Sequence, residues 1–145
     1  MNIITEIRDY INGQVRKHDP DLNFDGFVFS DEKTGLNAKD NTYKLVIGEA
    51  SPTRLNSSYS ADIDTQVWIY KAAQLNDRVN DFDEAYCKAL DIASEIIDQT
   101  NISQDSFIKT ISNSAITPEP IDEIDNVYRF RIQFITTVYY KLSEV

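Results

Sequence analysis

The run Asp21-Leu22-Asn23-Phe24-Asp25-Gly26, with Glu32 farther on, is the part of this chain whose residue types and spacing could do chemistry. Oxygen-bearing side chains at alternate positions, glycine at a sharp turn and a carboxylate at the twelfth place make up a calcium loop. On that reading Asp21, Asn23, Asp25 and Glu32 would hold the metal. The context argues against it. Phe29 stands where an oxygen donor or water-binding residue is usual, and residues 33–41 lack the amphipathic pattern of the helix that should follow. A solvated turn leading into a strand is expected, with a calcium-binding module as the minor alternative.

Other reactive groups are few. The single histidine, His18, falls at the end of a predicted helix, where the partial negative charge of the helix terminus favours a cation. The single cysteine, Cys87, lies in a second predicted helix with no base close in sequence, so a packed or partly exposed thiol is expected rather than a nucleophile. The chain contains no glycine-rich phosphate loop, serine elbow or metalloprotease motif. No catalytic residue, cofactor or enzymatic activity is expected.

The 145 residues suit one domain, 1–145, with enough apolar content to build a core. A formal net charge of −10 repels phosphate backbones, and no basic cluster offsets it, so a nucleic-acid reader is not expected. One cysteine excludes an intramolecular disulfide framework. No secretory leader or membrane-length apolar run is visible, so folding in the cytosol is expected.

Apolar spacing sets the elements. Ile4, Ile7, Ile11 and Val15 predict a helix over residues 3–17, stopped at Asp19-Pro20. Phe27-Val28-Phe29 reads as a short strand, and residues 43–50 and 61–71 as strands joined by a polar loop of about ten residues, long for a hairpin. Residues 82–99 carry the best helical stripe, with Asp81 placed to cap it and Glu84 to complete the box. A strand near 107–112 and a loop holding Pro118 and Pro120 follow. Residues 126–142 then alternate apolar and polar without a break, a strand long enough to overhang its own sheet and need a partner. The class is α+β: a two-layer sandwich of two helices on a mostly antiparallel sheet, with a long-tipped β-hairpin.

Charged residues recur on the less apolar strand faces. Asp62 and Asp64 share one face, Arg129 and Arg131 another, and the two sets could pair if their strands are neighbours. Trp68, Tyr70 and Tyr139 lie on the same faces, as in a buried protein interface or a second core layer. Acids also gather at Asp77, Asp81, Asp83 and Glu84, and at Glu119, Asp122, Glu123 and Asp125.

In its order of elements, the long-looped hairpin and the ending Arg-Phe-Arg-Ile-Gln-Phe-Ile-Thr-Thr-Val, the chain resembles the tail-terminator (tail-completion) family of long-tailed bacteriophages. The resemblance spans nearly the whole length, and the acidic segments 21–32 and 118–125 depart from it. It implies a structural virion protein at the tail–neck junction, assembled in the host cytoplasm. Copies would form a ring, commonly a homohexamer, that caps the tail tube protein, stops its polymerisation and joins the tail to a head or neck connector protein. DNA would pass through the acidic lumen without specific binding, and no membrane is involved. The expected interface residues are Arg54 and Tyr59 at the hairpin tip and Asp62, Asp64, Trp68, Arg129 and Arg131 on the strand faces. Another head–tail connector, a stopper or head-completion protein, is the alternative.

Overall fold

A computed structural model describes residues 2–29, 39–72, 78–122 and 127–142. Its elements in chain order are helix α1 (Ile3–His18), strands β1 (Asn23–Phe29), β2 (Thr42–Arg54) and β3 (Tyr59–Ala72), helix α2 (Arg78–Ile97), and strands β4 (Ile108–Asp122) and β5 (Val127–Tyr140). The strands form one sheet in the order β1-β2-β3-β5-β4. β1 runs parallel to β2, and the other neighbours are antiparallel. Both helices pack on one face, giving the expected α+β sandwich.

The helices form where the apolar spacing requires. Ile7, Ile11 and Val15 of α1 are buried, and the Asp19 N–H closes the last turn on the Val15 carbonyl before Pro20 ends the helix. On α2, Ala85, Ala89, Ile92, Ala93 and Ile96 face the core. The alanines let its axis approach Phe130, Ile132 and Phe134 of β5 closely. α2 begins at Arg78, so Asp81 sits inside its first turn and is not the cap. The half-buried Tyr10 hydroxyl donates to the Ile96 carbonyl at 2.6 Å and ties the two helices together.

Three strand expectations are corrected. β2 and β3 extend to Arg54 and Tyr59, so the hairpin ends in a short turn, closed by the Leu55 N–H on the Ser58 carbonyl at 2.8 Å, and its length is paired ribbon. β4 runs through Pro118 and Pro120, because it lies at the sheet edge, where a missing N–H costs no ladder bond. β5 does not overhang. It is flanked along its length by β3 and β4, which are as long as it is, and sits second from the edge.

Two backbone features shape the sheet's outer parts. Asn113 has φ 56° at an irregularity between Ser112 and Ala115 of β4. Gly48 lies at a shift in the β2–β3 register between Ile47 and Ala50, and a β-carbon there would stand 3.2 Å from the Asp64 backbone oxygen. Beyond Gly48, residues 49–57 are all exposed.

Candidate interaction surfaces

Strand alternation turns every second side chain away from the helices, and the register collects these into rows across the open face. One row places Tyr70 beside Arg129 and Glu119, and the next Trp68 beside Arg131 and Thr117. The Arg129 guanidinium lies 4.5 Å from the centre of the Trp68 ring, a cation–π contact. Its Nη2 is 3.1 Å from Oε1 of Glu119, and Nε of Arg131 reaches the same oxygen at 3.5 Å. Arg129 is 7% exposed, so this is a nearly buried charge held by a carboxylate, an indole and the Tyr70 hydroxyl. Burial raises the Tyr70 hydroxyl pKa, and its hydrogen bond with Arg129 opposes the rise. Trp68 Nε1 donates to Gln66 Oε1 at 2.8 Å.

The interface residues expected from sequence therefore separate into three places. Trp68, Arg129 and Arg131 come together. Asp62 and Asp64 share their face on a neighbouring strand, yet the register sets them opposite Thr137 and Ile135, so no cross-strand pair with the arginines forms. Both acids are exposed, and Asp62 accepts from the Thr137 hydroxyl at 2.7 Å. Asp64 borders a cavity of about 310 Å³ of mixed lining, with Gln66, Asn113 and Gln133 beside Phe134 and Ile135. Arg54 and Tyr59 are cross-strand partners at the hairpin end, where the Tyr59 ring stacks on Tyr140 with centroids 5.7 Å apart.

Glu119 is the partner that sequence reasoning missed. The run Thr117-Pro118-Glu119-Pro120 reads as loop, but its period of two is that of a strand, and that signal alone could have placed Glu119 beside the arginines. As a candidate lining for an acidic channel, Glu119 is already committed to two guanidiniums. Asp77, Glu123 and Asp125 lie outside the described residues.

The calcium-loop segment is extended. Asn23–Phe29 pairs with β2, and Gly26, at φ 107°, lies at a register shift in that strand. Asp25 Oδ2 lies 3.5 Å from Lys44 Nζ. The paired strand spreads Asn23 and Asp25 along its length instead of wrapping them round an ion, Asp21 lies in the turn before it, and Glu32 lies outside the described residues. Among the described residues no group of three or more His, Cys, Asp or Glu could hold a metal.

His18 sits at the end of α1 and meets Glu95 at 3.1 Å. Hydrogen bonds from Asn101 and then His18, with the nearby Lys17 charge, hold the Glu95 carboxyl below its ordinary value. Cys87 is an exposed thiol. A polar cavity of about 260 Å³ between the sheet end and α2 is lined by acids and lysines together, among them Asp40, Lys71, Glu84 and Lys88. Among the described residues no helix is long and apolar enough to cross a membrane.

With this geometry in view, a chain of the virion of a native gene transfer agent particle is similar over 96% of this chain and 98% of that one, at TM-score 0.60 and 11% identity. The two chains share a fold. No protein-family model matches the sequence, and no curated protein sequence does.

Proposed function

We propose that this chain is a non-enzymatic structural protein of a phage-like virion, a ring-forming tail terminator. In this reading it caps the tail tube, ends its growth and offers the head-side neck a docking surface. One observation carries the reading: an end-to-end fold likeness to a chain of a gene transfer agent virion. The element order noted in the sequence and the exposed residues 49–57 at the hairpin end support it. With β5 paired on both sides, subunits would join through other surfaces than that strand.

A different head–tail connector protein fits the same fold likeness. The deciding experiment is native mass spectrometry of the purified chain, followed by co-sedimentation with isolated tail tubes and with DNA-filled heads. A ring that binds tubes supports the terminator. Binding to heads alone moves the protein to the other side of the neck, and a chain that stays monomeric and binds neither removes the proposal.

A further inference from the structure

The helical layer has two unlike flanks. α1 meets α2 through the Tyr10 hydroxyl on Ile96 and His18 on Glu95, so the Glu95 side of α2 faces α1. Leu90 and Ile97 lie about 140° and about 160° round the helix from Glu95, at 3.6 residues per turn. Leu90 is 44% and Ile97 40% exposed. They belong to an exposed stripe with Asp83, Cys87 and Ser94, spaced alternately four and three residues apart, as in a helix-pairing seam. Asp83, about 120° round from Glu95 in the same sense, adds an exposed carboxylate to this flank.

On α1, Arg8 and Arg16 lie about 160° and about 120° round from Tyr10, on the flank turned away from α2. Arg8 shares its charge with the adjacent Asp9, and Arg16 bonds the Pro20 carbonyl. One edge of the layer is thus apolar and acidic, and the opposite edge basic.

We propose that the Leu90/Ile97 flank of α2 docks on the Arg8/Arg16 flank of α1 in a second copy of this chain. Two different surfaces meeting head to tail generate a ring when the rotation closes, whereas one surface meeting itself gives a dimer. Repulsion between acids opposes α2 docking on another α2, and opposite charges favour α2 on α1. β4 and its prolines block strand addition along the same edge, leaving side chains to make the contact.

This inference rests on the ring reading, and the test separates the two. Native mass spectrometry and light scattering would be run on the wild type, on Leu90→Asp with Ile97→Asp, and on Arg8→Glu with Arg16→Glu. All four positions lie on the outer helix surface, so circular dichroism and Tm should be preserved. The expected result is a wild-type ring and at least a tenfold loss of association in both pairs. Adding Asp83→Lys to the arginine variant should restore assembly. Folded variants that assemble like the wild type overturn this contact and leave the ring reading standing. A loss that the lysine does not restore overturns the pairing of these two flanks. A wild type that is monomeric overturns both readings.

Discussion

Arg129 combines near-complete burial with a permanent charge, and that sets what its substitution can report. Reversal to glutamate would set two carboxylates together beneath Trp68, so Arg129→Glu is expected to unfold the monomer and is no probe of assembly. Arg131, with 31% of its side chain exposed, is the better probe. Glu119→Gln removes the carboxylate shared by both guanidiniums and is expected to cost about 2 kcal/mol, the scale of a charge-assisted hydrogen bond, measured by urea unfolding. A Cm unchanged from wild type would show that the indole suffices. Legibility at this scale was uneven. The sequence pattern put Trp68, Arg129 and Arg131 on less apolar faces, and the register unites them. Their anion went unseen because two prolines hid its strand. The oxygen donors of 21–25 have a plain structural source: alternating polar side chains are also what the exposed side of an edge strand looks like.

The contact between α1 and α2 is where pH should act on the fold. Burial first, then the Asp98 and Glu95 carboxylates, push the Tyr10 pKa up to about 12 from 10.0. The raised folded-state value means that its contribution is complete below pH 10.0 and lost as pH rises toward about 12. Tm is expected to fall across that interval, and Tyr10→Phe should flatten the fall while lowering Tm at neutral pH. Glu95 works at the other end. Its folded-state pKa lies below the ordinary 4.5, so its stabilising effect is present above that value and disappears as acid protonates it. Glu95→Gln should weaken the acid dependence of Tm in the same scans. Among strands, β4 is guarded at its open edge by Pro118 and Pro120. Replacing both by valine restores two backbone donors and should raise light scattering at high concentration. Both helices were legible because their stripes repeat over several turns. The overhang expected of the last strand was not, since the length of its neighbour β4 was hidden by the same prolines.

At the scale of the molecule, the outer half of β2 and the turn after it form an exposed edge, while their partner β3 stays paired with β5 as far as Tyr59. Replacing residues 55–58 by Asn-Gly keeps a turn suited to the ribbon and should leave Tm within a few degrees. Under the proposed function the same change should weaken co-sedimentation with tail tubes, and undiminished binding would place the tube contact elsewhere. The class of fold was readable from periodicity. The shape of the ribbon was not, because its outer residues are polar, like those of a loop, and the pairing that makes them strand comes from the register with β3 and β5. Gly48 gives that edge a property of its own. Since a methyl group there would press on the Asp64 carbonyl, the chain turns at this point on a residue that can carry no side chain without moving its neighbour. Gly48→Ala would act like a wedge between neighbouring strands, prising the rim of the sheet away from β3 while β3 stays laced to β5.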